Sequence, residues 1–249
     1  MAKIKNKELL QSYVLTTAKY NFSVHEKRIL YRIIELNQHL IEGKSLNEKY
    51  KIEFTKSGNA EYTMPIHLFL KQEDDKNHKE VKKAFQSLQN KVIEYQDDNM
   101  WASLSLIAFP KTFRFSETVT FTIDSLIYNA LLDFSKGFRK YELKTAMEFE
   151  SIYSMRFYEL FSNKKTPINY SIDNLKEMFQ ITNKYKETKD FIKYVIESAK
   201  KELDKCSPYT FHYEKIKTGR KITGIRFIPI HQPQFEDEEL KKQRENPGF

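Results

Sequence analysis

Cysteine is almost missing: Cys206 is the only one in 249 residues. An intrachain disulfide is therefore excluded, and so is a zinc site built from several thiolates. Such usage suits a reducing compartment, and the expected location is the cytoplasm. Glycine and proline are also scarce, at 6 and 7 residues. Scarcity of both excludes a repetitive, loop-rich chain of low complexity. No stretch approaches the ~20 consecutive apolar residues of a membrane-spanning helix. The opening residues, Met1-Ala-Lys-Ile-Lys-Asn-Lys-Glu8, carry charge with no apolar core behind it, so no secretory signal and no membrane partner are expected.

Motifs for chemistry are missing as well. Gly-x-x-x-x-Gly-Lys-Ser/Thr is absent, and Gly219-Arg220-Lys221 lacks both the earlier glycine and the following hydroxyl residue of a phosphate loop. His25, His39, His67, His78, His212 and His231 form no His-x-His pair of the kind that holds metal in rolling-circle nucleases. The acidic pairs Asp74-Asp75 and Asp97-Asp98 lie in polar stretches, without the convergent scaffold that metal-assisted hydrolysis requires. The tyrosines sit in no nucleophile motif. The expectation is a binding protein with no catalytic residue, no metal ligands and no cofactor.

What is present begins with core material and positive charge. Hydrophobic residues make up 40% and aromatics 14% of the chain, enough for packed cores in one large domain or two small ones. The net charge is +8 and the pI about 9.2. That balance favours nucleic acid or an anionic membrane surface as partner.

Ser23 and Glu26 form a capping box ahead of Ile29, Ile33, Leu36 and Leu40, which recur at helical spacing. Glu26, Lys27, Arg28 and Arg32 are expected to face water. Residues 50–54 and 61–64 read as strands about the Ser57-Gly58-Asn59 turn, with a short helix near 65–70. A longer helix is expected through 77–95, burying Val81, Ala84, Phe85, Leu88 and Val92. Strands follow at 101–109 and 118–123. Helix resumes after Ser125, Gly137 marks a break, and 138–164 reads as a long helical joint between domains. The order then recurs: strand 167–171, helix 172–181, helix 184–205, strands 209–216 and 221–230.

Helix, helix and β-hairpin in that order is the plan of a winged helix. The fold class expected is α+β, with two tandem winged-helix (helix-turn-helix plus β-hairpin) domains. The first spans 10–135, the second 136–231 with its leading helix, and 232–249 is a flexible tail.

On helix 184–205, Phe191, Ile192, Val195, Ala199 and Leu203 gather on one side. Lys186, Lys189, Lys193 and Lys200 gather on the other, interrupted by Glu197, and Lys184, Tyr185 and Thr188 stand at the N-terminal end. The hairpin tip carries Lys215, Lys217, Thr218, Arg220 and Lys221 about Gly219. A solvated lysine face and a turn charged against edge-to-edge pairing are the plain readings. The other reading is a DNA grip, in which the helix enters the major groove and the hairpin follows the backbone. Positive charge on both elements at once favours the grip. Arg226, further along the strand, reads as support for the fold. A weaker copy lies in the first half: Lys79, Lys82 and Lys83 on the helix, Lys111 and Arg114 on a candidate wing, diluted by Asp74, Asp75 and Glu80.

Residues 15–36, "LTTAKYNFSVHEKRILYRIIEL", resemble the opening of the replication initiator proteins of theta-replicating, iteron-containing plasmids. "YSMRFYELF" (153–161), "YSIDNLKEMFQI" (170–181), "KYKETKDFIKYVIESAKKEL" (184–203) and "YEKIKTGRKITGIRF" (213–227) resemble successive later blocks of that family. Together the blocks cover roughly residues 10–230. The resemblance implies two winged-helix domains and sequence-specific binding to directly repeated origin DNA in a bacterial, plasmid-bearing host. It also implies origin opening, recruitment of host DnaA and the replicative helicase, and a monomer–dimer equilibrium in which the dimer represses its own promoter. Carried onto this chain, recognition falls on Lys184 to Lys193 and the wing on Lys215 to Lys221. The segment "VIESAKKELDKCS" departs from the usual helix ending, and the first wing matches poorly. The alternatives are a winged-helix transcription regulator without a replication role and an origin-nicking endonuclease.

Overall fold

The computed structural model describes residues 6–44, 46, 50–71, 78–96, 101–113, 116–135 and 137–245. The chain divides into two compact units. His25–Ser135 is one, and Lys5–Val24 joins Lys136–Phe249 in the other. The expected first domain, 10–135, is therefore corrected: residues 10–24 belong to the second unit. Strand β1 (Glu8–Ser12) explains why, because its partner is a strand more than a hundred residues away. Helix α1 (Tyr13–Thr17) follows it.

The first unit contains α2 (Val24–Ile41), β2 (Lys51–Phe54), β3 (Ala60–Pro65), a 3-10 turn (Ile66–Phe69) and α3 (His78–Gln89). Strands β4 (Val92–Gln96), β5 (Trp101–Ser105), β6 (Ala108–Lys111) and β7 (Thr118–Ile123) lead to α4 (Ser125–Leu131). An antiparallel sheet runs in the order β2-β3-β7-β6, and β4 and β5 make a separate hairpin. Tyr62 stacks on Phe121 at 5.2 Å between ring centroids, and Phe85 meets Phe121 at 5.1 Å.

Two expectations for this unit are overturned. Glu26, Lys27, Arg28 and Arg32 are buried rather than solvated. Burying a charge is tolerated only with partners in place. Glu26 accepts from Lys91 Nζ at 2.6 Å, Arg32 Nε donates to the Leu68 carbonyl at 2.9 Å, and Arg32 pairs with Glu35 at 2.8 Å. Lys27 Nζ lies 5.2 Å from the centre of the Tyr31 ring. Val92 is not part of the helix: α3 ends at Gln89, and Val92 starts β4 with its side chain 57% exposed.

In the second unit the expected helical joint over 138–164 is three elements: β8 (Phe138–Glu142), α5 (Leu143–Glu148) and α6 (Ile152–Phe161). Strand β8 pairs antiparallel with β1, Leu9 opposite Tyr141. Ser151 interrupts the helical run, its hydroxyl accepting from Tyr153 N as the cap of α6. The N-terminal segment is sealed down by buried polar contacts. Gln11 Nε2 donates to Thr16 Oγ1 at 3.0 Å and to Glu159 Oε2 at 3.1 Å, and Gln11 Oε1 accepts from the Tyr141 hydroxyl at 2.7 Å.

The unit continues with β9 (Ile168–Ser171), α7 (Ile172–Met178) and a helix over 188–206. Strands β10 (Tyr209–Thr218) and β11 (Lys221–His231) then form a hairpin, and the sheet order is β10-β11-β9. Phe157 and Phe161 of α6 meet Phe211 and Phe227 of the hairpin, with centroids 5.0 to 5.5 Å apart. Burying each such ring contributes about 1.5–3 kcal/mol.

The expected flexible tail is also corrected. Residues 233–235 form a 3-10 turn, and α10 spans Glu238–Glu245 with Leu240 buried. Arg244 holds α10 down, bonding Glu236 at 2.9 Å, Glu8 at 3.1 Å and Glu142 at 3.4 Å. Those acids are scattered along the sequence, so the polar tail shows no apolar periodicity that would announce its order. No helix among the described residues is long and apolar enough to cross a membrane.

Candidate nucleic-acid interface

The helix over 188–206 is built of α8 (Thr188–Phe191), a π-helical turn (Ile192–Glu197) and α9 (Ser198–Cys206). Ile192 and Ser198, at the junctions, keep right-handed helical angles, so the run is continuous. Phe191, Ile192, Val195, Ile196, Ala199 and Leu203 are buried, while Lys189, Lys193, Tyr194 and Glu197 are exposed. The helix starts later than expected, at Thr188, because Glu187 is extended. Lys184, Tyr185 and Lys186 therefore stand on the loop before it. That loop is shaped by Tyr185, whose φ is +52°. Lys176 Nζ donates to the Tyr185 carbonyl at 2.8 Å.

Two side-chain bonds set the hairpin against this helix. Thr210 Oγ1 donates to Asp204 Oδ1 at 2.6 Å, and the Tyr213 hydroxyl donates to Glu197 Oε1 at 2.8 Å. From Asp204 back to Glu197 a helix rises about 10 Å. From Thr210 on to Tyr213 a strand advances about 10 Å. The strand therefore runs beside the helix toward the helix N-terminus. The remaining distance is about 13 Å from Glu197 to Thr188 and about 17 Å from Tyr213 to Thr218. Beyond Tyr213 every residue of β10 is exposed, so Lys215 and Lys217 project with the hairpin away from the core. Partial burial and the Glu197 carboxylate push the Tyr213 phenol up to about 12.

The tip turns at Gly219, whose φ of +61° suits glycine. Behind it, Thr218 and Thr223 share a hydroxyl contact of 3.2 Å. Gly224 allows β9 to approach: a Cβ there would lie 2.9 Å from the Tyr170 carbonyl oxygen.

Lys184, Lys186, Lys189, Lys193, Lys215, Lys217, Arg220 and Lys221 are all exposed. None pairs with an acid among the described residues. Thr218 is exposed with them, and Thr188 and Tyr185 are half-buried. Of the neighbouring cations, Lys200 pairs with Asp204 and Arg226 with Glu214 at 3.7 Å, while Lys201 and Lys205 further along the helix are exposed without an acidic partner among the described residues. A surface of unpaired cations on one helix and the adjoining hairpin can replace the counterions of a phosphate backbone.

The first unit brings its candidates together less well. Lys79, Lys82 and Lys83 are exposed on α3, but Lys83 pairs with Glu80 at 2.7 Å. Lys83 holds the Glu80 carboxyl below the usual carboxylate range. Lys111 ends β6, 4.0 Å from Glu61, and β6 pairs antiparallel with the next strand, β7, at the edge of the four-stranded sheet, while β4 and β5 form a separate antiparallel pair. Arg114 and the pairs Asp74-Asp75 and Asp97-Asp98 lie outside the described residues. Sequence reasoning also passed over Tyr194 and Tyr213. Tyr213 alternates correctly for a strand, but nothing local marks Glu197 as its partner.

Family models decide the assignment. The initiator replication protein model for the first winged helix matches residues 8–162, and the initiator Rep protein model for the second matches 171–229. The chain belongs to the initiator Rep protein family. Its fold is the family's two tandem winged helices, of α+β class. The first match extends through α6, so it includes β1, β8 and α5, which pack in the second compact unit. A solved initiator, the Pi protein in a crystal structure with iteron DNA, superposes with a TM-score of 0.65. It covers 93% of this chain and 98% of its own, at 16% identity, and so shares the fold.

Proposed function

We propose that this initiator Rep protein binds directly repeated origin DNA sequence-specifically through its second winged helix. The observation that carries the reading is the Tyr213–Glu197 bond, which ties the wing strand to a helix whose N-terminal outer cations, Lys189 and Lys193, form no ion pair among the described residues. Phosphate contacts by Lys215, Lys217, Arg220 and Lys221 set orientation and supply much of the affinity. Lys189 and Lys193 reach base edges, where a cation discriminates guanine. Lys184, Tyr185, Lys186 and Thr188 contact the groove wall ahead of the helix. The iteron DNA bound by the Pi protein supports the same ligand class.

Bound copies open the origin and recruit DnaA and the replicative helicase in the bacterial cytoplasm. Monomers occupy the repeats and dimers repress the promoter. The chain works as a binder, without an active site. Footprinting on the DNA flanking the gene tests the central claim: regular protection of tandem repeats is expected, and protection of a lone promoter site would point to a transcription regulator. Site-specific nicking of a supercoiled origin plasmid with magnesium or manganese would overturn the non-enzymatic reading.

A further inference from the structure

We infer that Tyr194 is a specificity-determining residue whose ring packs on the 5-methyl group of a thymine in the major groove, with Tyr185 holding it in place. The inference rests on the reading of helix 188–206 as the element that enters the groove.

Tyr194 is 50% exposed, a large apolar ring on an otherwise charged helix face. It lies inside the π-helical turn. Such turns are rare and cluster at functional sites, because the extra residue per turn rotates side chains out of ordinary helical register. Here the buried residues 191, 192, 195 and 196 stay packed in the core while Lys193 and Tyr194 face out side by side.

The ring is restrained without being covered. Tyr185 stacks on it, with centroids 6.0 Å apart and 24° between planes. Lys193 Nζ lies 5.1 Å from its centre. Its hydroxyl takes no hydrogen bond among the described residues. Tyr185 is itself fixed by Lys176 at its carbonyl, and its hydroxyl lies near that of Tyr153. The Tyr153 ring in turn stacks on buried Phe179 at 5.9 Å. A chain of rings thus runs from the core out to Tyr194 and orders it before any ligand arrives, which lowers the entropic cost of binding.

The ligand chemistry follows from what the groove offers. Among base edges in the major groove, only thymine presents an apolar group. A restrained aromatic edge between cations matches that methyl, while Lys193 beside it meets a phosphate or a guanine edge.

The test uses the full chain and a duplex that it enriches from a random pool, with unselected random duplex as competitor. Failure to enrich any sequence would sink base reading altogether and is distinct from failure of the Tyr194 assignment. With an enriched duplex in hand, each thymine is replaced by deoxyuracil in turn. One replacement is expected to weaken wild type about fourfold, the value of one buried methyl group. Tyr194→Ala binds the enriched duplex more weakly and no longer distinguishes thymine from deoxyuracil at that position. Tyr194→Phe keeps the distinction, and both variants keep the wild-type salt slope. Undiminished deoxyuracil sensitivity in Tyr194→Ala would overturn the assignment. So would equally weakened binding of the thymine and deoxyuracil duplexes by Tyr194→Phe, which would make the hydroxyl, not the ring, the contacting group.

Discussion

In the first unit Lys83 turns back to Glu80 and Lys111 lies beside Glu61, leaving Lys79 and Lys82 unpaired, whereas in the second Lys189, Lys193, Lys217 and Arg220 all form no ion pair among the described residues. Both units have the same order of parts and both carry lysines on the helix before a hairpin. A count of charges along the sequence treats them as near equals. Pairing separates them. A surface ion pair is worth at most about 1 kcal/mol, so breaking one is cheap, but each retained carboxylate cancels part of the field that draws a polyanion. The second unit keeps its acids for other work: Asp204 and Glu197 orient the hairpin, and Glu214 neutralises Arg226.

The strongest way to break this comparison is to weaken each unit from within. Phe157 sits at the centre of the second core and Phe121 at the centre of the first; both are fully buried. Truncating either to alanine should cost about 3–5 kcal/mol, read as a lower midpoint in urea unfolding. Specific DNA affinity should collapse with Phe157→Ala once the second unit is no longer fully folded. It should suffer less with Phe121→Ala. Equal loss of affinity at equal destabilisation would mean that the two units share the grip evenly.

A finer cut is to remove charge alone. Arg220→Ala with Lys221→Ala should flatten the dependence of log K on log salt by about 0.9 for each phosphate no longer neutralised. The matched change in the first unit, Lys82→Ala with Lys83→Ala, should flatten it by at most half as much, because Lys83 already has a carboxylate partner. Fluorescence anisotropy across a salt series reads both slopes. Matching slopes for the two pairs would erase the distinction between paired and unpaired lysines.

How much of this was legible in the sequence depends on the range of the interaction. Local signals served well. Apolar spacing at Phe191, Ile192, Val195, Ala199 and Leu203 matches the buried side of the helix, and Lys217 to Lys221 about Gly219 match the hairpin tip. Long-range partners were not legible. Strand β1 reads as part of the first domain until Leu9 is seen opposite Tyr141. The charges of α2 read as a solvated face because nothing near them in sequence names Lys91 or the Leu68 carbonyl. The tail reads as frayed because three of its anchors converge on one arginine, Arg244. The π-helical turn has no compositional mark, so Tyr194 was hidden at the border of the apolar stripe.

The smallest expected effect concerns the bond that sets wing against helix. In an unfolded chain the Tyr213 phenol loses its proton near 10; in the folded unit it does so at about 12. Its folded value is raised, so the contribution of the neutral phenol is complete below pH 10 and is lost as pH rises through 12. Tyr213→Phe should lower stability near neutral pH by about 0.5 kcal/mol, the low end for a hydrogen bond because both partners face water. The same change should remove part of the fall in stability between pH 10 and 12. It will not remove all of it, since Tyr170 is also pushed up to about 12. Tyr62 of the first unit adds to the remainder: it is buried, bonds Asn37 at 2.7 Å and is pushed up still further by burial, so it keeps its proton when folded and loses it when unfolded, lowering stability above pH 10 equally in both proteins. Urea midpoints at pH 9 and pH 11, taken for wild type and Tyr213→Phe, read the difference directly. An alkaline fall of the same size in both proteins would detach Tyr213 from Glu197, and with it the alignment of hairpin and helix on which the contrast between the two units depends.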